Sequence, residues 1–382
     1  MRVRLGEVIK EYSVRNKNNE NIPVYSVTNT QGFCTDYFSK EVASKEKIAY
    51  KIVPRGYFAY NPSRINVGSV DWQHCEDRVI VSPLYVVFGV SSKIEQRYLL
   101  HYLKSDITLT YIKAYATGSV RDNLKLSVLA QFPIELRTIE EQRRIASILD
   151  TVDALIVKRK QQIKKLDELV KSRFIEMFGD PVSNEMYWER VPLSVCIESI
   201  DNGKSFVCDS EARQGDWPAV LKLSAATYGD YRPSENKAVL DKNQFIEAAT
   251  VRDGDLLFTR KNTPELVGMC AYVYNTPSKL MMPDLIFRLN TNKRCNKIFL
   301  WKLINHDLFR DCIQAVATGS AKSMSNISKE RLLGLKIILP TVELQEQFAA
   351  FVIQTDKSKL AVQKSMEKLE LLKKSLMQEY FG

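Results

Sequence analysis

TIEEQRRIASILDTVDALIVKRKQQIKKLDELVKSRFIEMF, residues 138–178, is the stretch on which the fold turns. It holds neither Gly nor Pro across 41 residues, where about 10–14 is usual for a helix in a globular protein. Ile145, Leu149, Val152, Ile156, Ile163, Leu166, Val170 and Met177 recur at alternating steps of four and three. That spacing is a coiled-coil seam, a narrow stripe that must meet another helix. Arg159 and Arg173 interrupt it and would oppose slipped registers. Thr138 with Glu141 is a capping-box start, and Gly179 and Pro181 end the run. At about 1.5 Å per residue the helix would reach roughly 60 Å.

The partner lies in the same chain. Residues 341–381, TVELQEQFAAFVIQTDKSKLAVQKSMEKLELLKKSLMQEYF, align with the first stretch at an offset of 203. Glu140 then meets Glu343, Gln142 meets Gln345, Ala146 meets Ala349, Asp153 meets Asp356 and Leu166 meets Leu369. Phe348, Val352, Val362, Met366, Leu369, Leu376 and Tyr380 continue the stripe. Such self-similarity marks an internal duplication.

Working outward, residues 1–137 and 180–340 are mixed α/β units, each leading into one long helix. Leu5 corresponds to Leu193, GYFAY at 56–60 to GDLLF at 254–258, and PLYVVF at 83–88 to PDLIFR at 283–288. YLLHYLKSDI at 98–107 aligns with FLWKLINHDL at 299–308, and ATGS recurs at 116–119 and 317–320. Strands are expected over 22–29, 82–90 and 132–136, and one helix over 96–111. The interiors share little else. The fold class is therefore α+β: two similar mixed α/β domains, at 1–137 and 180–340, separated by two long antiparallel coiled-coil helices, at 138–179 and 341–382, as a pseudo-twofold repeat.

Composition narrows the function. The net charge of +10 resides mainly on the globular parts, +6 on residues 1–137 and +2 on 179–340, while the last helix is neutral. A basic balance favours polyanions, nucleic acid first. Seven scattered cysteines without CxxC spacing argue against a disulfide framework or zinc site and fit a reducing cytoplasm. His74, His101 and His306 are too dispersed for a metal centre. No apolar run is long enough to span a bilayer.

Catalytic motifs are missing. There is no P-loop and no Gly-rich loop for a dinucleotide or S-adenosylmethionine. Asn61-Pro62-Ser63-Arg64 lacks the second proline and the aromatic of an amino-methyltransferase site. His74 and Cys75 near Asp71 have no oriented base. Pro283-Asp284 lacks the Glu-x-Lys of a metal nuclease.

The duplicated helices, with FPIEL and LKIILP before their Glu-Gln pairs, resemble the central and distal repeats of specificity subunits of Type I restriction-modification systems. NPSRINVGS at 61–69 with GSVR at 118–121 resembles one class of that family's target recognition domains. The resemblance spans the chain. It implies a non-catalytic subunit in which each globular unit reads one half of a split double-stranded DNA target. The helices would set the spacer and dock two methyltransferase subunits, with restriction/translocase subunits joining for cleavage. S-adenosylmethionine, ATP and Mg would belong to those partners, and none to this chain. Two alternatives compete: a coiled-coil scaffold that binds no DNA, which needs no pair of basic, divergent units, and a self-sufficient methyltransferase, which needs the motifs found missing.

Residue types then pick DNA-reading candidates. In the first unit these are Arg64, Asn66 and Arg121, since Arg suits guanine and Asn suits adenine. Asn61, Ser69 and Ser119 are candidates for phosphate. In the second unit, which has FTRKNTPELVG at 258–268 in place of NPSRINVGS, the equivalents are Arg260, Lys261, Asn262, Ser320 and Lys322. The two half-sites should therefore differ.

Overall fold

Two helices of 40 residues each, Ile139–Phe178 and Val342–Phe381, dominate the computed structural model. It describes residues 1–35, 47–116, 123–319 and 324–382. The chain divides into two compact units, and the first is not a continuous stretch: residues 1–161 with 363–382 form it, and residues 162–362 form the second. Each unit holds one strand-rich part and about half of each long helix. Packing thus assigns the half-helices to the globular parts they cover, where the sequence reading had set the helices apart.

In the first unit, strand Arg2–Arg4 pairs antiparallel with Pro133–Glu135 beside the start of the long helix. A four-stranded sheet runs in the order Ile9–Glu11, Val86–Val90, Phe58–Tyr60, Val70–Trp72, with antiparallel neighbours throughout. Phe58 and Phe88 stack within it at 5.1 Å. The expected helix over 96–111 is two, Gln96–Leu103 and Asp106–Ala116. Ser105 makes the break: its hydroxyl donates to the Tyr102 carbonyl (2.7 Å) and accepts from the Thr108 amide (3.3 Å), the local competition by which Ser ends helices. Ile145, Ala146 and Leu149 of the long helix lie in this core. Phe381 joins it, 5.2 Å from the Tyr98 ring and 5.8 Å from the Tyr102 ring.

The second unit repeats the scheme. Glu189–Pro192 pairs with Lys336–Leu339, and the sheet order is Ile197–Asn202, Ile286–Thr291, Leu256–Thr259, Cys270–Tyr272. One alignment shifts. Ala59 faces Val87 in the first unit, and Leu257 faces Arg288 in the second. With Gly56 and Gly254 in the same left-handed turn (φ +87° and +85°), Val87 matches Arg288, one residue away from the PLYVVF–PDLIFR pairing read in the sequence. A one-residue slip exchanges the faces of a strand. Arg288 is held there by Asp201 and Asp255, each at 3.0 Å, and by the carbonyls of Ala248 and Thr250. Phe178 does here what Phe381 does in the first unit, meeting Phe299 at 5.0 Å and Phe348 at 5.3 Å.

The helices run antiparallel within each unit. Asp153 meets Lys373 at 2.6 Å in the first, and Asp167 meets Lys359 at 2.7 Å in the second. Fourteen residues forward on one helix is fourteen back on the other. These partly exposed pairs mark register and add little stability. Ile163 and Leu166 are only half-buried, as a seam covered on one side requires. Beyond Val170 the stripe departs from the expected path. Phe174 and Phe178 are fully buried and Met177 is not, because the helix there faces the wider globular core as well as its partner. Arg173 lies at the edge, 5.8 Å over the Phe351 ring and paired with Glu176.

Phe174 touches Phe178, Phe299 and Phe348. Phe174→Ala should cost about 3–5 kcal/mol in urea denaturation, and a loss below about 1 kcal/mol would contradict this packing. His306 is buried, 5.0 Å from the Phe174 ring. Burial pushes its pKa below the ordinary value, against the opposing pull of Asp307. The unfolded chain takes the proton near pH 6.5 and the folded one resists it. Stability is therefore full above that pH and falls as pH drops through it. His306→Phe should lessen the fall in melting temperature between pH 7 and pH 5, and equal falls in both proteins would refute the assignment.

Candidate nucleic-acid interface

In the first unit the candidate surface begins where strand Phe58–Tyr60 ends. Asn61 starts the turn: its Oδ1 accepts the Ser63 amide (3.1 Å) and its carbonyl accepts the Arg64 amide (2.9 Å). Ile65 is buried in the core, which leaves Arg64 and Val67 exposed and Asn66 half-buried. Gly68 takes φ +84°, a left-handed conformation that costs a side-chain-bearing residue energy. The chain then returns so that the Ser69 amide donates to the Arg64 carbonyl (3.2 Å).

Asn123 and Leu124 meet this turn. The Leu124 amide donates to the Pro62 carbonyl (3.2 Å), the Tyr60 hydroxyl to the Leu124 carbonyl (3.0 Å), and the Ser63 hydroxyl to Asn123 Oδ1 (2.8 Å). Ser119 and Arg121 lie outside the described residues.

The second unit makes the same junction with other residues. The Ile327 amide donates to the Arg260 carbonyl (2.8 Å), the counterpart of the Leu124–Pro62 bond. Lys261–Asn262 pairs antiparallel with Ser325–Asn326. The Arg260 guanidinium sits 5.0 Å over the Phe287 ring, with Nε and Nη2 donating to Asn326 Oδ1 at 3.4 and 3.2 Å. Asn262 is buried, its Nδ2 donating to Thr227 Oγ1 (3.0 Å) and its Oδ1 accepting the Thr263 amide (2.9 Å). Ser320 and Lys322 lie outside the described residues.

The candidates therefore separate by position. Arg64, Asn66 and Lys261 reach the surface at least in part, and Arg260 is oriented by its ring and its amide. Asn61 shapes its turn. Ser69 and Asn262, expected at the surface, are interior. Asn123, Asn326 and Lys329 were not singled out by sequence; Lys329 lies 5.7 Å over the same Phe287 ring as Arg260. Their signal was position, since Asn123 and Asn326 follow the two ATGS repeats at similar distances.

The first unit carries 28 basic and 20 acidic residues, the second 27 and 25, so the first is the more electropositive. A guanidinium oriented as that of Arg260 is, beside a polar turn, suits phosphate and base-edge acceptors. Among the described residues no group of His, Cys, Asp or Glu is placed to hold a metal ion, and no helix is long and apolar enough to cross a membrane.

Burial separates framework from surface in a measurable way. Asn262→Ala should cost about 1–3 kcal/mol by stranding the Thr227 and Thr263 groups, whereas Arg64→Ala should stay within about 0.5 kcal/mol. Urea denaturation of both variants checks this, and the opposite ranking would overturn it.

Residues 2–166 match the family described as the Type I restriction modification DNA specificity domain. The chain is 29% identical over 196 residues to the specificity subunit of the Type I restriction enzyme EcoEI of Escherichia coli, covering 50% of this chain and 33% of that protein. It is 20% identical over 310 residues to the EcoKI specificity subunit of Escherichia coli K12, covering 76% and 65%. The chain thus spans a third to two thirds of the length of these two relatives. In fold it is similar to the crystal structure of a Type I restriction-modification S subunit from M. genitalium, with TM-score 0.59 and 13% identity over 100% of this chain and 96% of that one. A chain from a structure of an assembled Type I restriction-modification system gives TM-score 0.56 and 19% identity over 100% and 97%.

Proposed function

We propose, for a chain that belongs to the Type I restriction-modification DNA specificity family, that it is the subunit that gives such a complex its DNA sequence preference. Each globular part reads one half of a split duplex site, and the long helices hold the halves apart and dock the catalytic subunits. The observation that carries this reading is the duplicated junction. One backbone bond, Leu124 to Pro62 in the first unit and Ile327 to Arg260 in the second, frames two surfaces with different side chains. Two copies of one frame with different donors suit two different half-sites.

The helices support a docking role. Val157 and Leu372 in the first unit, and Leu169 and Leu360 in the second, are apolar and 44–52% exposed. The offset of 203 carries Val157 onto Leu360 and Leu169 onto Leu372. The register marked by Asp153 and Lys373 puts each pair about one turn apart across the helices. Two equivalent apolar patches fit two copies of one partner, the methyltransferase subunit. Restriction/translocase subunits would join that core, and S-adenosylmethionine, ATP and Mg would be bound by those partners.

Replacing residues 192–340 with the corresponding part of another family member should change one half of the methylated motif and leave the other intact, as read by methylome sequencing. A change in both halves would refute independent reading. Val157→Asp should reduce the methyltransferase copies bound from two to one in native mass spectrometry, and full occupancy in that variant would refute the docking assignment.

A further inference from the structure

The joint between each globular part and its long helix is built by one residue in the same way. Gln142 stands in the first turn of Ile139–Phe178, and Gln345 in the first turn of Val342–Phe381; both are fully buried. Gln142 Oε1 accepts the Glu95 amide (2.8 Å), and its Nε2 donates to the carbonyls of Lys93 (3.0 Å) and Arg137 (3.0 Å). Gln345 Oε1 accepts the Asn296 amide (2.8 Å), and its Nε2 donates to the carbonyls of Arg294 (3.1 Å) and Pro340 (2.8 Å).

All six partners are backbone groups. The residues that own them differ between the units, Glu against Asn, Lys against Arg and Arg against Pro, while the bonds do not. The partners also have a common meaning. Glu95 and Asn296 are the cap residues of the short helices Gln96–Leu103 and Lys297–Ile304, each accepting amides of that helix with its own side chain. Arg137 and Pro340 lie at the strand-to-helix junction, just ahead of the long helices. One amide therefore ties together the incoming strand, the first turn of the long helix and the cap of a core helix. Only a primary amide offers an acceptor and two donors on one planar end, and each lost bond would leave a buried backbone group without a partner.

We propose that Gln142 and Gln345 are positioning residues. Each fixes the direction in which its globular part leaves its long helix, and so sets how strictly the complex measures the spacer between half-sites. This rests on the reading that the globular parts recognise half-sites and the helices separate them. The scale is favourable, since a displacement of about 3.4 Å at a reading turn equals one base-pair step.

The experiment uses the full chain co-expressed with its methyltransferase subunit and a DNA library in which the spacer varies one base pair at a time. The wild-type complex should methylate one spacer length. Gln142→Met and Gln345→Met keep the length of the side chain and remove its hydrogen bonds. Each should methylate spacers one base pair longer or shorter, with discrimination falling at least roughly tenfold, since all three bonds of the amide are lost and one net bond alone is worth about that factor, and with half-site sequences unchanged. Val267→Ala, a fully buried core position of the second unit, should lower the melting temperature without broadening the spacer. Broadening in that variant would reduce the joint to general stability and overturn the proposal. If a Met variant does not assemble, Gln345→Asn, one methylene shorter, takes its place with the same expectation. Wild-type discrimination in a folded Met or Asn variant would overturn the proposal. A wild-type complex that methylates no two-part site would overturn the underlying reading and the proposal with it.

Discussion

A 40-residue helix with a narrow apolar stripe is unstable in water unless something covers the stripe along its length. In this chain a second helix covers the middle and a globular core covers the ends. Ile145, Ala146 and Leu149 are buried in the core of the first unit, and Phe174 and Phe178 in that of the second. The second helix mirrors this, with Phe348, Ala349 and Val352 buried in the second unit and Phe381 in the first. Because each core needs pieces of both helices, the first compact unit is assembled from two separate stretches of chain, 1–161 and 363–382.

The two units keep their likeness through backbone bonds far more than through side chains. Leu5 donates to the Phe132 carbonyl and Leu193 to that of Leu335. Pro62 and Arg260 accept equivalent amides although one is a proline and the other carries a charge. Every residue brings the same main-chain carbonyl, so a frame held by such groups tolerates substitution around it. Recognition surfaces can diverge on that frame without endangering it. Gln142 and Gln345 are the exception, because there a side chain makes the frame and its chemistry cannot be exchanged freely.

The candidate surface was partly legible in the sequence. Gly68 and the Asn-Pro-Ser start of residues 61–69 announce a tight turn, and a turn next to a buried Ile65 presents Arg64 to solvent. Asn262 misled because its environment is set by Thr227, 35 residues earlier in the chain, and nothing local signals that encounter. Ser69 misled for a local reason: the turn closes on it, its amide bonded to the Arg64 carbonyl and its carbonyl to the Asn61 amide, where the chain enters strand Val70–Trp72. The Phe287 ring that orients Arg260 is likewise distant in sequence and visible only once the strands are paired.

The sequence by itself determined the two long helices, their shared seam, the duplication at an offset of 203 and the α+β class. All of these rest on periodicity and self-similarity, which are local or directly comparable along the chain. Tertiary structure alone decided where the seam hands over to the cores, at Val170 and Phe174, and the one-residue register that puts Arg288 opposite Leu257. It also decided which polar residues became interior framework and which stayed at the surface. Those outcomes depend on which distant backbone and side-chain groups meet once apolar surface is buried, and burial is a property of the packed whole that no single stretch of residues carries.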